Sequence, residues 1–104
     1  MDYEIELSRR AARDIDAIFS RIHADAPLNA KRWRSGLNQK LELLTHSAHR
    51  FGLAPENNDS RREVRQLMFG QYRILYTVDG VTAYVMTIRH GARQFLTGRQ
   101  IDRL

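Results

Sequence analysis

Two glycines, each placed to close a two-residue turn, decide most of what this chain of 104 residues can become. Asp79-Gly80 lies between Tyr76-Thr77-Val78 and Val81-Thr82-Ala83, runs of β-branched and aromatic residues that read as paired strands. Phe69-Gly70 marks a second turn just upstream. The two turns cut the region into three predicted strands, Glu63 to Met68, Gln71 to Val78 and Val81 to Arg89, in an antiparallel meander. Taking both dipeptides as the turns fixes the register: Leu67 opposite Tyr72, Gln66 opposite Arg73, Ile74 opposite Val85, Arg73 opposite Met86. One face then carries Leu67, Tyr72, Ile74, Tyr76, Val78, Val81, Ala83 and Val85, and is the core face. The other carries Gln66, Arg73, Leu75, Thr77, Thr82, Tyr84, Met86 and Ile88, with His90 on the same side beyond the strand. That second face is expected to be free.

The first half supplies the layer that covers the core face. Tyr3-Glu4-Ile5-Glu6-Leu7 alternates apolar and charged residues, as a half-buried strand does. Ser8 stands where a helix N-cap belongs. Ala11, Ala12, Ile15, Ile18, Phe19 and Ile22 then form the apolar stripe of a helix from Arg9 to Ala24. Pro27 fits the first turn of a second helix, whose stripe is Ala30, Trp33, Leu37, Leu41 and Leu44 and which runs to Ser47. The Asp25-Ala26 joint is too short for anything but an antiparallel helical hairpin. His49 to Arg62 reads as a loop, with Gly52, Pro55 and the polar run Glu56 to Ser60, and is expected to be the most mobile segment. After His90 the chain is a basic tail; Thr97 to Leu104 is a short helix or disordered. The expected fold is α+β in one domain over 1–104: N-terminal strand, antiparallel helical hairpin, three-stranded antiparallel meander, helices packed on one face of the sheet.

Charge narrows the partners. The formal net charge is +5, with a pI near 10.2. Eight basic and seven acidic residues up to Ala48 leave +1, whereas nine arginines and five acids from His49 onward leave +4. Fifteen of the seventeen basic residues are arginines, whose planar forks grip phosphates and carboxylates bidentately. Nucleic acid or an acidic protein segment is the implied partner, set against the alternative of a merely solvated arginine-rich surface. Without cysteine there is no disulfide, thiolate zinc site or cysteine nucleophile, which fits a reducing cytosol. No apolar run approaches a membrane span and the N-terminus has no signal-peptide core, so the chain is expected in the cytoplasm, with no membrane partner.

Few residues carry chemistry. Arg73 sits mid-strand, where a solvated charge is out of place: it is either a phosphate or carboxylate ligand, or ion-paired to the loop or tail. His90, beside two arginines, has the character of a general base or of an ordinary surface histidine. His46 and His49 are three apart but lack a third ligand, so no metal site is assigned. No Gly-rich phosphate loop, no Gly-x-Ser-x-Gly elbow and no facing carboxylate pair is present. Neither a cofactor nor a small-molecule substrate is expected.

Several blocks together resemble the RelE/ParE superfamily of toxins. They are Tyr3-Glu4-Ile5-Glu6-Leu7-Ser8 with Ala11-Ala12-Arg13-Asp14-Ile15, then Val64-Arg65-Gln66-Leu67, then Gly70-Gln71-Tyr72-Arg73-Ile74-Leu75-Tyr76, and Ile88-Arg89-His90-Gly91-Ala92-Arg93, the last similar to ParE-type members. The resemblance implies the toxin of a type II toxin–antitoxin pair, of the plasmid-stabilising kind, neutralised by a cognate antitoxin. ParE-like members poison DNA gyrase; RelE-like members cut mRNA in the ribosomal A site. In the RelE-like case Arg73 corresponds to an arginine on the scissile phosphate, Arg93 to one near the leaving group, and His90 lies near a catalytic histidine, with Glu56 the other candidate acid or base. The sequence departs from that pattern: Arg61-Arg62-Glu63 replaces a lysine pair, and Phe95 stands near the place of a catalytic tyrosine. The favoured reading is therefore ParE-like and non-enzymatic, with Arg65, Arg73, Tyr84, Arg89, Arg93 and Arg99 as the contact surface for target or antitoxin. The alternatives are the ribosome-dependent endoribonuclease and a non-toxic module that only binds an antitoxin.

Overall fold

The computed structural model describes residues 2–58 and 60–104; Met1, and Asp59 in the predicted loop, lie outside the described residues. Strand β1 (Glu4–Leu7) leads into helices α1 (Arg9–Asp25) and α2 (Pro27–Ser47). A 3₁₀ turn (Pro55–Asn58) follows, then β2 (Arg65–Phe69), β3 (Tyr72–Asp79), β4 (Thr82–His90) and a short helix α3 (Gly98–Asp102). The sheet order is β1-β4-β3-β2, with β1 parallel to β4 and the other pairs antiparallel. The expected element order and the helical hairpin are both present, and α3 resolves the tail as helix, closed by a capping box between Thr97 and Gln100.

Both turns lie one residue later than predicted. Phe69 pairs with Tyr72 and Asp79 with Thr82, so the turn residues are Gly70-Gln71 and Gly80-Val81. Gly70 and Gly80 have φ of 56° and 59°, and among the described residues no non-glycine has positive φ, so each glycine takes the first central position, the type II′ pattern. Moving a turn by one residue shifts each pairing by two, which leaves the faces of β3 and the start of β4 as expected. Leu67, Ile74, Tyr76, Ala83 and Val85 accordingly meet Ala11, Ile15, Ile18, Leu37 and Leu44 in the main core. Trp33 and Leu41 are half-buried at its margin, and Ala12 points to solvent.

A β-bulge changes what comes next. The register shifts between Leu75 and Tyr76, because Tyr76 pairs with Val85 and Leu75 with Thr87, leaving Met86 unopposed. Every residue of β4 after the bulge therefore changes face. Ile88 joins the helix-side core, and His90 pairs with Tyr72 on that same side. Arg89 and Thr87 take the opposite side. Groups released by the irregular ladder are held by α1 and its cap. Ser8 Oγ caps the Ala11 amide at 2.9 Å and donates to the Met86 carbonyl at 2.7 Å, while the Asp14 carboxylate accepts from the Ile88 amide at 3.1 Å and from the Thr87 hydroxyl.

The second sheet face is not free. Leu75 and Met86 on it pack with Ala54, Val64 and Ile101 into a second core, with Leu96 and Leu104 at its edge. Residues 54–58 and 60–64 and the tail thus form a third layer. Apolar residues at Leu75, Met86 and Ile101 needed cover, and the loop and tail were the remaining chain able to give it.

Candidate functional site

The third layer is built around Arg73. Its side chain is 4% exposed and that of Glu56 is fully buried. The guanidinium donates to both Glu56 carboxylate oxygens, at 2.5 and 3.1 Å, and through Nε to Gln66 Oε1 at 3.0 Å. Phe95 covers its plane, with the ring centroid 5.0 Å from Cζ. Glu56 also accepts from the Leu96 amide at 3.1 Å. One buried ion pair therefore ties sheet, loop and tail together. Burial pushes the Glu56 carboxyl up, but the Arg73 bonds, with help from backbone amides, outweigh it and hold the group below its usual range.

Arg89 lies beside Arg73 across the β3–β4 ladder and is nearly buried. Its Nε and Nη2 donate to the Gln94 carbonyl at 3.1 and 2.9 Å, fastening the start of the tail. Burial holds its pKa below the usual guanidinium value, and the charges of Arg93, Arg10 and Arg73 act in the same direction against Glu56.

The remaining predicted residues are dispersed. His90 is on the helix side, away from the face predicted for it, edge-on to Tyr72 at 5.4 Å. The Ala92 amide donates to His90 Nδ1 at 3.0 Å, which assigns the proton to Nε2, 3.2 Å from Gln71 Oε1. The lone pair a general base requires is thus occupied by a backbone donor. Arg93 is exposed between the surfaces of Arg89 and His90. Arg65 is engaged by the Phe51 carbonyl at 2.6 Å and Glu63 at 2.6 Å. Tyr84 is half-buried at the edge of the second core, and Arg99 is exposed on α3 near Arg61 and Arg103. Among the predicted residues, Arg89 lies beside Arg73 and shares a surface with Arg93, which also borders that of His90. Among the described residues, no group of three or more His, Asp or Glu is placed to hold a metal ion, and no helix is long and apolar enough to cross a membrane.

Sequence reasoning had Glu56 only as a possible acid or base and missed Gln66, Arg10 and Arg103. The alternative it gave for Arg73, an ion pair to loop or tail, is the arrangement seen. Arg10 and Arg103 carried no signal, because their position depends on where α1 and the tail pack.

Comparison with known proteins adds the following. The family described as ParE toxin of type II toxin–antitoxin system, parDE, matches residues 5–95. No curated protein matches the sequence. Among solved structures, the fold is similar to a chain of the chromosomal ParDE toxin–antitoxin system from P. aeruginosa, with TM-score 0.70 and 20% identity over 85% of this chain and 95% of that one. It is also similar to a chain of the toxin–antitoxin complex RelBE2 from Mycobacterium tuberculosis, with TM-score 0.56 and 22% identity over 86% and 99%. A mutant of E. coli toxin RelE in the free state aligns with TM-score 0.57 and 19% identity over 88% and 86%.

Proposed function

This chain belongs to the ParE toxin family of type II toxin–antitoxin systems, and we propose that it arrests growth by inhibiting DNA gyrase in the cytoplasm until a cognate antitoxin covers it. The observation that carries this reading over mRNA cleavage is the engagement of Arg73. Attack of a ribose hydroxyl on a phosphate needs a base, an acid and cationic stabilisation. Here Arg73 is paired bidentately with Glu56, so neither group is available without breaking a buried ion pair. His90 stands on the other side of the sheet with its lone pair occupied, and Phe95 has no proton to exchange. Without a placed acid and base, binding and poisoning account for the fold better than catalysis does. The surplus of arginine on the second half favours an antitoxin with an acidic segment.

The test uses protein freed of its antitoxin, assayed with purified gyrase and, in parallel, with translating ribosomes. Lost supercoiling or trapped cleaved DNA with intact mRNA is the expected result. A-site mRNA cuts with normal supercoiling would overturn the proposal in favour of the endoribonuclease. Normal growth of cells overproducing the chain alone would leave only the non-toxic binding module.

A further inference from the structure

Four arginines converge at a recess of about 330 Å³ that adjoins the Arg73–Glu56 pair but is not lined by either of its members. Arg10 comes from the first turn of α1, Arg89 from the end of β4, Arg93 from just beyond it and Arg103 from the end of α3; Leu96 and Leu104 are among the walls. No acidic side chain among the described residues lines it. Two carboxylates lie nearby, and one of them already pairs with a recess arginine. Asp14 serves Arg10 Nε, the Thr87 hydroxyl and the Ile88 amide, and Glu56 serves Arg73 and the Leu96 amide. The Leu104 main-chain oxygen faces Arg62 at 3.4 Å. Arg10 thus has one carboxylate partner, while Arg89, Arg93 and Arg103 have no side-chain ion pair among the described residues, so positive charge is in excess at the recess. The pKa of Arg89 is held down by burial first and then by Arg93, Arg10 and Arg73, with Glu56 opposing them.

We propose that this recess binds a phosphate-bearing group of at least two negative charges, such as linked phosphates or a terminal phosphate. One carboxylate would leave most of the recess charge unpaired, whereas linked phosphates supply several oxygens for guanidinium forks. A recess also suits a chain end or a small ligand better than the convex backbone of a duplex. The shared chemistry has two sources, a free nucleotide polyphosphate and the 5′ end of a nucleic-acid strand. The inference does not depend on gyrase being the target.

Calorimetric titration of the full chain at low salt tests it, with inorganic pyrophosphate, a nucleoside triphosphate, and one single-stranded oligonucleotide with and without its 5′ phosphate. Hexaglutamate serves as the carboxylate comparison. Arg10→Gln/Arg103→Gln removes two exposed arms, and a urea melt checks that the fold is kept. Pyrophosphate affinity is expected to fall about tenfold or more in this variant, as loss of charge-assisted hydrogen bonds implies. The equally charge-depleted Lys31→Gln/Arg32→Gln, on α2, should stay within about twofold, as for exposed charges that make no specific contact. Preference for the triphosphate, or for the phosphorylated over the plain oligonucleotide, supports the site and names its source. Equal losses in the two variants, tighter binding of hexaglutamate, or no pyrophosphate binding at millimolar concentration would each overturn it.

Discussion

Replacing Glu56 by Gln should be among the most damaging single-atom-class changes this chain can suffer. The substitution keeps the shape and one acceptor oxygen but replaces the other by a donor facing Arg73, and leaves that cation, 4% exposed, with neutral partners only. Removing one member of a buried ion pair costs about 3–5 kcal/mol. A domain of this length has a total stability of roughly 5–15 kcal/mol, so that is a large share of it. With a urea slope of about 1–3 kcal/mol per molar, the midpoint should fall by at least about 1 M. Removing both charges is a different experiment. Arg73→Met with Glu56→Leu should be less damaging than Glu56→Gln, within about 1–3 kcal/mol of the parent, since an apolar replacement of a buried pair is often neutral while the Leu96 amide and Gln66 lose their partners. The pH dependence follows from the same pair. Glu56 has a folded pKa below its ordinary 4.5, so its stabilisation is complete above about pH 4.5 and is lost as pH falls through the folded value. The parent should lose stability in that acid window, and Glu56→Gln should lack that component. Urea melts read by Trp33 fluorescence at pH 7 and pH 3 measure all of this. A cost below about 1 kcal/mol for Glu56→Gln would refute the reasoning, because it would mean that Arg73 is solvated and available to a ligand. The double variant then carries the functional question: a gyrase poison should survive it once refolded, and a nuclease that uses Arg73 should not.

Three further outcomes are expected. Asp14→Ala strands the Ile88 amide and Thr87 hydroxyl beside the bulge and should cost about 2–3 kcal/mol in a urea melt, while Asp14→Asn, which keeps an acceptor, should cost about half that or less. Trp33 is half-buried between Phe69 and Tyr72 and its indole N–H lacks a partner among the described residues; Trp33→Phe should be near neutral, within about 1 kcal/mol, and Trp33→Ala should cost about 2–4 kcal/mol in circular-dichroism melts. Burial pushes the Tyr76 phenol up to about 12 against the lowering charge of Arg65, so ultraviolet titration should show one late phenolate that Tyr76→Phe removes. Its stabilising contribution is full below pH 10 and is lost as pH rises through about 12.

The local code was strong where one residue type decides the outcome. Ser8 and Pro27 opened the helices, and the stripes from Ala11 to Ile22 and from Ala30 to Leu44 placed both on the correct sheet face. Gly70 and Gly80 marked the hairpins, but a glycine fits either central position of a two-residue turn, so the sequence left the turn centre ambiguous by one residue. That ambiguity was harmless because it moves pairings by two. The bulge at Met86 was not harmless and not legible. Tyr84 to Ile88 reads as an unbroken strand, and nothing in its composition marks one residue as unopposed.

What stabilises the bulge lies far away in sequence. Asp14, on the first helix, takes up the Ile88 amide, and Ser8 takes up the Met86 carbonyl. These contacts exist only once α1 has docked. Their consequence reaches the site: beyond Met86 the strand turns Arg89 toward Arg73 and His90 toward Tyr72. An unbulged β4 would put His90 on the side of Arg73, as the even alternation predicted, and a cation and a candidate base would share one surface. The bulged strand separates them and gathers arginines instead. The arginine recess and the separation of His90 from Arg73 are therefore two results of a single inserted residue, and the Asp14 contact that supports it helps decide whether this fold presents a surface for binding or one for proton transfer.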